Sequence, residues 1–115
     1  MRLIKFHGLG NDYLVLESSE TPLSPGMVAA LCDRHTGVGA DGVLELVESD
    51  VADFGVVIHN PDGSQAEKSG NGLRIFSRYL VKYRSAASDL TVQTPAGVVR
   101  CCVDGDQVEV EMGGA

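Results

Sequence analysis

Apolar and polar residues alternate over Arg2 to Phe6, which predicts a first strand, and Tyr13-Leu14-Val15-Leu16 predicts a second. The segment between them, His7-Gly8-Leu9-Gly10-Asn11-Asp12, carries two glycines and is too Gly-rich for a plain hairpin. It is expected to set Asn11 and Asp12 on a loop where backbone can approach a ligand closely. The alternative is that Asn11 is present only because Asn tolerates a left-handed turn position.

Ser24-Pro25 marks a helix start, with Ser as N-cap and Pro at the first helical position. Met27, Val28, Ala30 and Leu31 supply its apolar face, which ends near Arg34, and Cys32 reads as core packing. The following Gly37-Val38-Gly39-Ala40-Asp41-Gly42 matches G-x-G-x-x-G letter for letter. A dinucleotide site needs a strand before that motif and a helix after it. Here a helix precedes, and the alternating strand Val43-Leu44-Glu45-Leu46-Val47 follows, so the nucleotide reading is rejected. Phe54 to His59 is a continuous apolar run, as in a buried strand.

The chain is organised around the stretch Asn60 to Tyr83. Asn60-Pro61-Asp62-Gly63 is a turn, with Pro presetting φ and Gly taking the left-handed position. Beyond it Leu73, Ile75, Phe76, Tyr79, Leu80 and Tyr83 cover more than one stripe of a helix, while Arg74, Arg78 and Lys82 fall four apart on one wet edge. Such a helix is largely buried, and the rest of a small domain wraps around it. Its start, Ser69-Gly70-Asn71-Gly72, leaves backbone N–H groups free to point outward, where the helix dipole adds about half a positive charge. That is a place to hold an anion. After the helix, Leu90 to Thr94, Val98 to Val103 and Val108 to Met112 read as three strands, joined as hairpins by Pro95-Ala96-Gly97 and Asp104-Gly105-Asp106.

About seven short strands, one peripheral helix and one buried helix imply an α+β fold: a rolled, mostly antiparallel sheet around the central helix. Polar alternate positions such as Glu45, Glu109 and Glu111 are expected to face water. With 115 residues the chain reads as a single domain, residues 1–115.

Composition narrows the function classes. A net charge of −7, with no basic patch and no aromatic interleaving, argues against nucleic acid or an acidic membrane as partner. Three cysteines, two of them adjacent at 101 and 102, do not make a disulfide framework. No apolar run approaches the roughly 18–20 residues of a membrane span, and the N-terminus lacks a signal-peptide core. A reduced, cytoplasmic protein is the expectation. His7, His35 and His59 show no ligand spacing with Cys or carboxylates, so no metal is expected and His35 reads as a hydrogen-bonded structural residue.

Four motifs in order, HGLGNDY at 7–13, HTGVGADG at 35–42, NPDGSQAEKSGNGLRIFSRYL at 60–80 and the closing strand ending Met112-Gly113, resemble the N-terminal half of the diaminopimelate epimerase family. The resemblance runs collinearly over essentially the whole chain. It implies one of two similar α/β domains, with the active site in the cleft between them. It implies cofactor-independent chemistry, in which one cysteine from each domain removes and returns the α-proton of diaminopimelate. On that resemblance Asn11 is similar to the family's substrate-binding Asn, and Asn60 to the Asn that opens the turn before the central helix. Gly70 and Asn71 are similar to the pair whose backbone N–H groups hold the substrate α-carboxylate.

Two departures follow. The family motif has Cys where this chain has Ser69, which is therefore the candidate proton-transfer residue or only an N-cap. A helix N-terminus lowers a thiol pKa from roughly 8.5 towards neutrality. It cannot do so for an alcohol, and the adjacent Glu67 and Lys68 are not evident bases for it. The second departure is length, since the partner half that would carry the other base is absent. Neither Cys101 nor Cys102 sits at a Gly-rich helix start, and both read as packing. The expected partner is a small amino-acid substrate, with the missing C-terminal domain or a second copy closing the cleft. A one-base isomerase or dehydratase, of the kind related to proline racemase and phenazine-biosynthesis isomerases, is a second reading. A binding half-domain without activity is a third.

Overall fold

The computed structural model describes residues 2–8, 10–18, 22–67, 69–105 and 107–111. Among these residues eight strands form one sheet: β1 (Arg2–Gly8), β2 (Asn11–Ser18), β3 (Val43–Val47), β4 (Phe54–His59), β5 (Gln65–Ala66), β6 (Asp89–Thr94), β7 (Gly97–Asp104) and β8 (Gln107–Glu111). Their spatial order is β1-β2-β3-β4-β6-β7-β8, with β5 paired to β4. The helices are α1 (Pro25–Cys32), between β2 and β3, and α2 (Gly70–Tyr83), between β5 and β6.

Topology dictates where the helices lie. β2 runs parallel to β3 and β4 parallel to β6, while β3 and β4 are antiparallel. Two right-handed crossovers that advance the same way along a sheet from oppositely directed strands must pass over opposite faces. The core divides accordingly. Tyr13 and Val15 of β2 pack with α2 residues, whereas Leu14 and Leu16 pack with Val28 and Cys32 of α1. This is why Tyr13 to Leu16 carries no polar alternation: the strand is covered on both faces.

The larger core surrounds α2, whose Leu73, Ile75, Phe76, Tyr79 and Leu80 are almost entirely buried. Strands from both ends of the sheet, β1 and β2 on one side and β7 and β8 on the other, reach this helix, so the sheet is rolled around it. Each such side chain contributes about 1.5–3 kcal/mol by leaving water. Tyr83 departs from the expected pattern. It is 48% exposed, at the last turn, where its ring meets Phe6 and Tyr79 edgewise and stacked.

Ser24 caps α1, accepting the Met27 N–H at 3.2 Å, and Pro25 opens the helix as expected. The buried face of α1 is Val28 and Cys32, one turn apart, while Ala30 is exposed. Five of the seven pairings are antiparallel. The expected count of seven strands omits β5, two residues paired with Ile58 and His59 across the Asn60 turn. In that turn Gly63 has φ +92°, and a Cβ there would lie 2.6 Å from the Pro25 carbonyl oxygen, so it locks the turn against α1.

Two expectations are corrected. β1 and β2 pair through to Gly8↔Asn11, with Gly10 at φ +78°, so Asn11 and Asp12 are the first residues of a strand in a two-residue hairpin. Glu45 is only partly solvated, because its carboxylate meets the Nε2 of buried His59 at 2.9 Å. Glu109 and Glu111 face water. Met112, at which the last strand was expected to end, Asp106 of the last hairpin, and Lys68 lie outside the described residues. Among the described residues no helix is long and apolar enough to cross a membrane.

Candidate active site at the start of the central helix

Ser69 leaves β-type backbone (φ −152°, ψ 118°) and its Oγ accepts the N–H of Gly72 at 3.1 Å, which fixes the first turn of α2. Helix geometry leaves the N–H groups of Gly70 and Asn71 without partners inside the helix, at its positive end. No acidic side chain stands in this first turn. Arg74, one turn further, folds back so that its Nη1 lies 3.2 Å from where a Cβ on Gly70 would sit. The sequence pattern had assigned Arg74 to a wet edge with Arg78 and Lys82. The structure leaves Lys82 there, while Arg74 and Arg78 are half-buried and the Arg74 charge sits against the helix start.

The β1–β2 hairpin meets this helix end. The Nδ2 of Asn71 donates to Asn11 Oδ1 at 2.8 Å, joining residues 60 positions apart. The Nδ2 of Asn11 in turn donates to Asp41 Oδ2 at 3.2 Å. Asp41 also accepts the Asp12 backbone N–H at 2.8 Å and returns its own N–H to the Asp12 carbonyl at 2.7 Å. Arg34 bridges the two carboxylates, at 3.3 Å to Asp12 and 3.0 Å to Asp41. His7 Nδ1 completes the set on Asp12.

The charges of this cluster support one another. The hydrogen bond from His7, then Arg34, holds the Asp12 carboxyl below its usual range. The Asp12 N–H, then Asn11 and Arg34, do the same for Asp41. Both aspartates raise the Arg34 pKa.

Asn60 stands apart from this group. Its N–H donates to the Ser64 carbonyl at 2.7 Å, its Nδ2 donates to Ser64 Oγ at 3.0 Å, and its carbonyl accepts from Gly63 at 2.9 Å. These bonds close its own turn, and among the described residues none reaches Asn11 or Asn71. Of the five residues singled out from the sequence, Ser69, Gly70, Asn71 and Asn11 gather at one end of α2. What sequence reasoning missed is Arg34 and Asp41. They lie in the 35–42 motif or just before it, but only the fold shows that they clamp Asn11.

Among the described residues no basic side chain hydrogen-bonds Ser69. The cysteines offer no substitute: Cys32 and Cys101 are buried, Cys102 half-buried, and burial pushes all three thiols up. His35 is exposed and its backbone N–H donates to Asp33 at 2.7 Å. No three His, Cys, Asp or Glu side chains are grouped to hold a metal among the described residues.

Comparison with known proteins identifies the fold and the family of the chain. A solved structure titled probable proline racemase, from Agrobacterium radiobacter, superposes with a TM-score of 0.71 at 18% identity, covering 96% of this chain and 41% of that one. A Bacillus anthracis phenazine biosynthesis protein of the PhzF family superposes with a TM-score of 0.64 at 18% identity, over 94% of this chain and 37% of its own. These likenesses show the fold. Diaminopimelate epimerase 2 of Nostoc is 44% identical over 98% of this chain and 42% of its own length. The diaminopimelate epimerase of Caldanaerobacter subterraneus is 45% identical over 86% of this chain and 36% of its own. The chain thus spans less than half the length of the curated relatives it matches. The family model described as diaminopimelate epimerase matches residues 3–115, which takes in the hairpin, the clamp and the helix start alike, and the chain belongs to that family.

Proposed function

We propose that this chain supplies one wall of the site of a cofactor-independent epimerase, which interconverts LL- and meso-diaminopimelate in the cytoplasm for lysine and peptidoglycan synthesis. The observation that carries the reading is the Asn71–Asn11 hydrogen bond. It gathers, at the positive end of α2, residues that the sequence resemblance likens to the family's substrate-binding positions. A substrate α-carboxylate docks on the N–H groups of Gly70 and Asn71, with Arg74 adding charge. Donors held there favour the charge that develops on the carboxylate as the α-carbon loses its proton.

Ser69 takes the place of a thiol base and is the candidate catalytic group of this wall. Its lone pair receives the Gly72 N–H, so its own proton is free to be donated to a ligand. Removing a proton from carbon near neutral pH needs a stronger base than an unassisted alcohol. In this reading a base on the opposite face of the substrate, carried by a second domain or a second copy, removes the α-proton and the Ser69 hydroxyl returns one from its own face; both directions pass through the Ser69 alkoxide, which makes the serine protein slow. Asn60 serves by holding the turn that precedes the helix.

The test is α-proton exchange of LL- and meso-diaminopimelate in D2O, followed by NMR, with the native polypeptide that carries this sequence and with its Ser69→Cys variant. Deuterium entry, with faster epimerisation in the Cys variant, is expected. No exchange with either stereoisomer sinks the reading. The alcohol at position 69 favours one alternative, a one-base isomerase of the same fold, and exchange without any gain from Ser69→Cys points to it.

A further inference from the structure

We infer that Asp41 is a positioning residue that sets the polarity of the Asn11–Asn71 amide chain, leaving the Asn71 side-chain carbonyl free to receive a ligand ammonium group. The inference rests on the substrate reading above and adds the group that sorts α-amino acids from plain carboxylates.

The argument is one of donors and acceptors. A side-chain amide has two possible faces, and its orientation is decided by what it meets. An ionised carboxylate only accepts. Asp41 is held ionised by the Asp12 N–H, Asn11 and Arg34, so it compels Asn11 to present its NH2. The Asn11 carbonyl then faces the other way and compels Asn71 to present its NH2 in turn. Asn71 keeps one N–H and its carbonyl oxygen, on an exposed residue beside the N–H groups of the helix start that have no partner within the helix. Donors for a carboxylate and an acceptor for an ammonium are thereby set next to each other, as an α-amino acid requires.

Asp41→Ala tests this by removing the acceptor that Asn11 and the Asp12 N–H share on Asp41 Oδ2. Nothing then compels Asn11 to present its NH2, and Asn71 is released to present its own NH2 to the ligand. Asp41→Asn, whose carbonyl can take the Oδ2 place and keep both bonds, is the control and is expected to retain the wild-type ratio of affinities. Two probes separate the outcomes: meso-diaminopimelate, and pimelate, which keeps the carboxylates and lacks the amino groups. In Asp41→Ala, diaminopimelate affinity is expected to fall about tenfold, the scale of one charge-assisted hydrogen bond, while pimelate affinity is unchanged. Equal loss for both probes, or no loss for either, overturns the inference.

Arg34→Gln, which leaves the carboxylate in place, is expected to retain the ratio of the two affinities, and a reversed ratio overturns it. A ligand-free readout keeps the question separate from the substrate reading. In the 15N-labelled wild-type protein, scalar coupling across the hydrogen bond is expected from Asn71 Nδ2 to the Asn11 side-chain carbonyl carbon. Coupling in the opposite sense, or Asn11 and Asn71 NH2 signals that do not move in Asp41→Ala, overturns the orientation. Failure of wild type to bind either probe, with the coupling present, faults the substrate reading instead and leaves the orientation supported.

Discussion

The hydroxyl of Tyr79 donates to the carboxylate of Glu17, whose other oxygen lies 2.8 Å from Arg2 Nε. Tyr79 is fully buried at the middle of α2, and the Glu17 side chain is 9% exposed at the end of β2. The bond therefore ties the central helix to the sheet through the one polar atom of a ring otherwise packed on Phe6 and Phe76. Burial, then Glu17, raises the Tyr79 pKa. A raised folded pKa contributes stability that is fully present below the unfolded value of about 10 and is lost as pH rises beyond it. Tyr79→Phe removes the donor and leaves Glu17 short of a partner. Urea unfolding at pH 7 should show a loss of about 1–3 kcal/mol, and the variant should lose less than wild type between pH 9 and 11.

The Asp12–Asp41–Arg34–His7 cluster should contribute to the acid limb of stability. Both carboxyls are depressed in the folded chain, Asp12 first by His7 and Asp41 first by the Asp12 N–H. Their stabilisation is present above the unfolded carboxylate pKa of about 3.9 and is lost as pH falls below it. The Tm of wild type should drop from pH 5 to pH 2.5, and Asp41→Asn should drop less over that interval. Equal drops would assign the acid limb to other carboxylates.

The central helix, the start of α1 and the last two hairpins were legible because local rules act there alone: a 3.6-residue apolar repeat, Ser24-Pro25, and glycines at strand ends. The place of Asn11 was not. Two glycines suggested a loop, yet the strand pairing runs through to Gly8↔Asn11, with Gly10 at φ +78° just before Asn11. Glu45 alternates correctly onto the outer face, but His59 comes beside it from the antiparallel neighbour, a pairing no local pattern encodes. The Asn11–Asp41 and Asn11–Asn71 bonds join residues 30 and 60 positions apart, so the motifs revealed the residues and only the fold their clamp.

Ser69 has a structural role separable from any chemistry. Ser69→Ala removes the acceptor for the Gly72 N–H and should cost about 0.5–2 kcal/mol in chemical denaturation, whereas Ser69→Gly should cost only a few tenths. An Ala variant as stable as wild type would refute the cap.

Gly70→Ala separates stability from binding at the helix start. The position is helical, with no left-handed backbone, and Ala is favoured over Gly in a helix by up to about 1 kcal/mol. The new methyl would meet one group within 4 Å, the Arg74 Nη1 at 3.2 Å, which is the far end of a flexible side chain and can move aside. Thermal unfolding should thus show an unchanged or slightly higher Tm. Moving Arg74 takes a positive charge off the N–H groups of Gly70 and Asn71, and the methyl narrows the approach to them. Calorimetric titration with meso-diaminopimelate should therefore show weaker binding in a protein that is no less stable. A variant that binds as well as wild type would mean that neither the Arg74 charge nor open access at residue 70 serves the carboxylate.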